Sequence, residues 1–260
     1  MKIGVNLNCY GPLPLEEQFA LMKRHGFETT FCMSEKPDIE KAFAIAKREG
    51  IVFENLHAPY REINTLWNDA EEGEAFLARL IASVELCAAN GVPALVMHLS
   101  SGNPPPRIND LGNERLDRLM EVARREGVTV AYENQRMIAN LAMTMEVYLE
   151  ATFCWDVGHE ACFTGGRDYM ALFGNRIGAL HLQDNFCEYN KDQHLIPYDG
   201  AIDMGRAAKK LAESGYTGSI MLELIRSKWE GYADLTPDEY YAKAADAARR
   251  FGERVESYRA

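Results

Sequence analysis

The chain has 260 residues, 47% of them hydrophobic and 26% charged, an ordinary globular composition. Its 28 lysines and arginines against 39 aspartates and glutamates give a net charge of −11. That counts against duplex nucleic acid and against an anionic membrane surface, both of which need a basic footprint. A small anionic substrate is still allowed, because a metal ion or a local arginine can supply the positive charge.

In chain order, strands are predicted at about 2–8, 27–32, 51–57, 93–99, 128–134, 152–157, 177–183 and 219–224. Helices are predicted at about 14–25, 38–49, 69–89, 110–126, 140–149, 168–174, 203–213 and 237–256. One junction recurs: a helix tail, a glycine, then a β-branched or aromatic run. It appears at Gly26, Gly50, Gly91, Gly127 and Gly215. Glycine there can take the left-handed conformation that closes a helix without a Cβ clash. Strands such as VTVAYE and SIMLEL are continuously apolar, as strands covered on both faces are. The third helix should start at Asp69, with acids in its first turn to suit the helix dipole. Eight such units predict an α/β fold, a single (β/α)8 TIM barrel over residues 1–260. A doubly wound open sheet is the runner-up, and no GxGxxG follows the first strand to support it.

Five of the six histidines fall at or just beyond strand C-termini: His57, His98, His159, His181 and His194. In a barrel that end is the active face. His25 lies in a helix tail and reads as a surface residue. Acids reach the same height: Glu133 after strand five, Asp156 after six, Asp184 after seven and Glu223 after eight. A carboxylate at the end of a buried strand is costly unless something pairs with it. Only Arg136 and Arg226 are close by in sequence, so salt bridges explain these acids poorly. A divalent ion explains Glu133, Asp156, His181 and Glu223 together. Three oxygens and one nitrogen suit Mn²⁺ or Zn²⁺ first, with Mg²⁺ or Co²⁺ as further candidates.

These residues, with the segments LHAPY (56–60), YENQ (132–135), WDVGHE (155–160), HLQDN (181–185) and DQHLIPYDGAID (192–203), resemble the sugar phosphate isomerase/epimerase family of xylose-isomerase-like barrels. The resemblance covers nearly the whole chain. It implies a metal set of Glu133, Asp156, His181 and Glu223. Metal-dependent abasic-site endonucleases are similar too, and the nine residue types that hold their three zinc ions have counterparts in His57, His98, Glu133, Asp156, His159, His181, Asp192, His194 and Glu223. Asp192 and His194 are therefore candidates for a further metal or for substrate. The chain departs from the ketohexose 3-epimerases at Ala139 and Cys187, where that group carries glutamate and arginine. The resemblance thus does not extend to that group's substrate.

The expected activity is a metal-dependent sugar or sugar phosphate isomerase or epimerase. Glu133 and Glu223 would serve as bases next to a carbonyl, through an enediolate. His57, His98, His159, Arg226 and Asn6 are the expected substrate-binding residues. Tyr10, Phe31, Tyr60, Trp67 and Trp155 suit the wall of a sugar site and the core equally well. The alternatives are a zinc-dependent phosphodiesterase and a non-catalytic metal- or sugar-binding barrel. No run approaches 18 apolar residues, and the start MKIGVNLNCY does not read as a signal peptide. The six cysteines form no CxxC pair. The expectation is a cytoplasmic protein with reduced thiols, no nucleic-acid or membrane partner, and outer helical faces free for a homo-oligomer.

Overall fold

The computed structural model describes residues 1–68, 71–165 and 167–260. β1 (Ile3–Asn6), α1 (Leu15–Arg24), β2 (Thr29–Phe31), α2 (Ile39–Glu49) and β3 (Val52–Phe53) open the chain. β4 (Leu56–His57) leads through a 3₁₀ turn (Ile63–Trp67) to α3 (Glu71–Ala89), β5 (Ala94–Met97) and α4 (Asp110–Glu126). β6 (Thr129–Glu133), α5 (Ile138–Val147), β7 (Thr152–Asp156), α6 (Val157–Phe163) and α7 (Tyr169–Phe173) follow. β8 (Ile177–His181), α8 (Met204–Glu213), β9 (Ile220–Leu222) and α9 (Pro237–Arg259) complete it.

All named strand pairs are parallel, in two arcs ordered β3-β2-β1-β9 and β4-β5-β6-β7-β8. The arcs meet at both ends. Bridges join Met33 to His57 and Leu182 to Leu222. Leu182 N donates to Met221 O at 2.8 Å and Glu223 N to Leu182 O at 3.1 Å. The ring of an α/β barrel results.

The predicted strand 51–57 is divided between β3 and β4, yet its pairing runs through the break. Glu54 N donates to Thr30 O and His57 N to Cys32 O, while Ala58 N turns to Val96 O. The strand changes its main partner midway, which a hydrophobic run cannot reveal. All five predicted glycines take positive φ, from +66° to +79°. α6 was not predicted. It follows β7 without a loop, because Asp156 caps it by accepting a hydrogen bond from His159 N at 2.6 Å. The predicted start of the third helix at Asp69 lies outside the described residues.

Strand alternation divides the core. Leu95, Met97, Val130, Tyr132, Phe153, Trp155 and Leu180 join the large cluster under the helices. Their neighbours Val96, Ala131, Cys154 and Ala179 form a separate, small-residue cluster. Two residues further along each strand the same face carries His98, Glu133, Asp156 and His181, because side-chain direction repeats every second residue. The polar site thus sits on a floor of small side chains. Trp67 and Trp155 belong to the core, their indole N–H groups bonded to Leu99 O and Glu160 Oε2. The six cysteines are free thiols, and burial pushes Cys9, Cys32, Cys87 and Cys162 up to about 12. Among the described residues no helix is long and apolar enough to cross a membrane.

Candidate metal centre

Glu133, the last residue of β6, is the hub. Its Oε2 lies 3.2 Å from His57 Nε2 and 3.1 Å from His98 Nε2, and its Oε1 is 2.8 Å from His159 Nδ1. His181, ending β8, points Nδ1 to within 3.6 Å of Glu133 Oε2 and 3.4 Å of Glu223 Oε2. Phe31 stacks on the His181 ring at 4.5 Å and fixes its plane. Asn134 pins the end of β7, with its amide paired to both Asp156 N and Asp156 O. One ligand atom from each of Glu133, Asp156, His181 and Glu223 can be drawn so that all lie within 4.8 Å of one another. The His57–His98–Glu133 and His159–Asp192–His194 sets meet the same test.

The central four residues fit a divalent ion on two counts. His181 is fully buried, and neither ring nitrogen has a hydrogen-bond partner; Glu223 Oε2 also lacks one. Orphaned buried polar atoms are costly, and ligation would satisfy them. The charges point the same way. Burial works against charge on Glu133, but His98 and His159 together outweigh it and hold the carboxyl well below the usual range. Glu223 is pushed well above it, by burial and then by the negative charges of Glu133 and Asp156. A bound cation would oppose the negative charge that raises Glu223.

The outer set is arranged differently. Asp192 Oδ2 takes His194 Nε2 at 2.7 Å and Lys228 Nζ at 3.1 Å, and Gln183 Nε2 donates to Asp192 Oδ1 at 2.8 Å. Burial opposes the Asp192 charge, but His194 and His159 overcome it and keep this carboxyl low. His159 is raised despite burial, by Asp156, Asp192 and Glu133, whereas burial dominates at His98 and lowers it. Protein cations and amides thus already occupy the Asp192 oxygens.

A cavity of about 580 Å³ opens above the cluster, lined among others by Phe31, Met33, Tyr60, Arg136, Phe163 and Lys228. His57, His98, His159, Asp192, His194 and Glu223 also line it. Asn6 lines it as well, but its amide is paired both ways with the Leu224 backbone, at 2.8 and 3.1 Å. Arg226 is not brought to this set. Its guanidinium packs over the Tyr10 ring at 4.5 Å and donates to Ala233 O at 2.6 Å, so it secures a loop. Asp184 also turns away, accepting from the backbone N–H groups of Asn185, Tyr198, Gly200 and Ile202 to fold the following loop.

Three contributors had no predicted role. Gln135 reaches His98 Nε2 at 3.2 Å and His159 Nδ1 at 3.0 Å. Gln183 touches Asp156 and Asp192 and accepts from His194 N. Both stand two residues beyond a member of the candidate quartet, Glu133 or His181, so strand alternation was the signal available. Lys228, in a short turn beyond β9, had none.

A family model described as xylose isomerase-like TIM barrel matches residues 19–251. A curated relative, the uncharacterized protein y4fM of Sinorhizobium fredii (strain NBRC 101917 / NGR234), is 26% identical over 192 residues, 68% of this chain. The match spans 60% of that relative's length. Among solved structures, 3-keto-D-glucoside 4-epimerase, YcjR, from E. coli superimposes with a TM-score of 0.72 at 18% identity, over 97% of this chain and 99% of that one. D-psicose 3-epimerase from Clostridium cellulolyticum H10, solved with D-tagatose, gives 0.80 at 14% identity, over 98% and 99%. The IOLI protein with a bound zinc atom gives 0.74 at 17% identity, over 99% of both chains. At these identities the structural likeness speaks for the fold, and the match of the family model over most of the sequence speaks for descent: the chain belongs to the xylose isomerase-like TIM barrel family.

Proposed function

We propose that the protein is a divalent-metal-dependent isomerase or epimerase of a small sugar, keto-sugar or sugar phosphate. The observation that carries this reading is the convergence of Glu133, Asp156, His181 and Glu223 beneath an open cavity, with both His181 nitrogens unpaired. The same constellation fits Mn²⁺ or Zn²⁺ best by donor type. When bound, such an ion supplies Lewis-acid polarisation of a substrate carbonyl and offsets negative charge on its oxygen. Glu133 and Glu223 sit on β6 and just past β9, on different sides of the ring. One carboxylate removes the proton from the carbon beside the carbonyl; the other can return a proton from a second direction. Proton return to the opposite face of the same carbon inverts it, and return to the neighbouring carbon exchanges aldose for ketose. His57, His98 and His159 hold Glu133 in place and form part of the cavity wall against which a sugar can rest. Two of the structural relatives are sugar epimerases, which supports the reading.

A second reading, zinc-dependent phosphodiester hydrolysis, draws on the three adjoining ligand sets. Against it stand the amine and amide already on Asp192 and the net charge of −11. A barrel that only binds metal or sugar would not need a second glutamate, Glu223, at the cavity wall above the buried Glu133. Elemental analysis of the purified protein and a panel of ketoses, aldoses and their phosphates separate the three. One tightly held ion with sugar turnover supports the first reading. Three ions with nicking of an abasic duplex would replace it with the second, and one ion without turnover of any sugar would favour the third.

A further inference from the structure

β7 brings a sulfur to the edge of the metal centre. Cys154 shares its face of β7 with Asp156, because side-chain direction repeats every second residue. In the sheet register it pairs with Glu133 of β6 on one side and with Ala179 of β8 on the other, two residues before His181. It is fully buried in the floor beneath the candidate ligands, beside Val96, Ala131 and Ala179. Those three side chains are hydrocarbon, so Cys154 is the one floor residue whose side chain can bind a metal. Its Sγ, a carboxylate oxygen of Glu133 and a ring nitrogen of His181 all lie within 4.8 Å of one another. No other cysteine among the described residues joins such a set.

A buried cysteine ordinarily packs as a small hydrophobe, and alanine would fill that role beside Ala131 and Ala179. What sets Cys154 apart is a neighbour with donors and nothing to bind: both ring nitrogens of the fully buried His181 lack a hydrogen-bond partner. Zinc holds thiolate sulfur at about 2.3 Å and imidazole nitrogen at about 2.0 Å, so donors spaced this closely can close on one ion with small side-chain rotations. The sulfur set and the carboxylate set share Glu133 and His181. They differ in the rest, with Cys154 in one and Asp156 and Glu223 in the other. An ion at this centre therefore has a choice between sulfur and oxygen. Thiolate selects soft ions, whereas carboxylate suits Mn²⁺ and Mg²⁺. We propose that Cys154 is a ligand for thiophilic dications, which bind through its sulfur together with Glu133 and His181, while hard dications stay on the carboxylate quartet. The thiol proton leaves to solvent as the sulfur–metal bond forms. Cys154 thus sets the metal preference of the centre. The proposal rests on the metal-dependent reading of this site and is independent of which sugar it takes.

Cobalt and cadmium report the sulfur directly. The full chain loaded with one equivalent of Co²⁺ should show a sulfur-to-cobalt charge-transfer band in the near ultraviolet. Cys154→Ala and Cys154→Ser should both lose it. Cys162→Ala, which removes another buried thiol, should keep it. Alanine matches the neighbouring floor residues, so circular dichroism of Cys154→Ala should show an intact barrel. In competition with a chelator, Cys154→Ala should weaken Cd²⁺ binding about tenfold or more and leave Mn²⁺ binding unchanged. No such band in the cobalt-loaded wild type, a band that survives in both Cys154 variants, or equal loss of Cd²⁺ and Mn²⁺ affinity would overturn the sulfur ligand and leave the carboxylate quartet standing. Failure of the wild type to hold any of the three ions would overturn the metal-dependent reading itself.

Discussion

His181 is a fully buried imidazole with two unpaired nitrogens, between two carboxyls and under the Phe31 ring. Such a residue has little reason to exist without a ligand. His181→Ala is expected to lower metal affinity by more than the roughly 10–100-fold that outer-shell changes cost, while circular dichroism shows an intact barrel. Glu133→Gln and Glu223→Gln should act on chemistry more than on structure. Glutamine keeps the size and one coordinating oxygen, but its amide oxygen is a very weak base. Turnover at saturating metal should fall by about 10²–10⁴-fold in each variant. The opposed titration of the pair gives a third expectation. Burial and two carboxylate neighbours hold the proton on Glu223 in the metal-free protein. A cation must displace that proton, so affinity should weaken as pH falls and metal binding should release protons. Calorimetry in two buffers of different ionisation enthalpy measures the release, and an identical heat in both would contradict it.

At the scale of elements, α6 matters most. Asp156 caps it and His159 lies in its first turn, so one helix start orients two members of the candidate site. Gly158 lies between them, and a Cβ there would stand 2.2 Å from Gln183 Cδ. Gly158→Ala should push Gln183 off Asp156 and Asp192, costing about 1–3 kcal/mol of stability. Thermal unfolding and metal titration of the same sample would detect both effects. This helix also marks what was legible in the sequence. The strand ends, the acids and histidines placed at them and the glycine caps could be read because each follows a local rule: period-two alternation, or a glycine where a helix closes. The seven residues of α6 are too few to show helical periodicity, and the division of residues 51–57 depends on which neighbour each half pairs with. The placement of Arg226 was hidden for a related reason. Its position after the last strand suggested the site, but the Tyr10 ring and Ala233 O hold it elsewhere. Lys228 reached the site from a turn whose sequence carries no strand signal.

At the scale of the whole molecule, the small-residue floor, the ligand layer and the cavity are stacked along the barrel axis. The floor is Val96, Ala131, Cys154 and Ala179. The candidate site therefore sits on a layer distinct from the small-residue floor beneath it. Net charge −11 argues against duplex DNA as a partner, and gel-shift with an abasic duplex at physiological salt should show no retained complex. The central claim is that one dication at Glu133, Asp156, His181 and Glu223 enables carboxylates to move a proton beside a sugar carbonyl. Proton exchange followed by NMR in deuterated water, with a keto-sugar panel, tests it most directly. The account predicts deuterium at the carbon next to the carbonyl with metal-loaded wild type, and none after chelation or with Glu133→Gln and Glu223→Gln combined. Exchange that survives in the metal-replete double variant, or no exchange on any keto-sugar by a protein carrying one equivalent of metal, would contradict it.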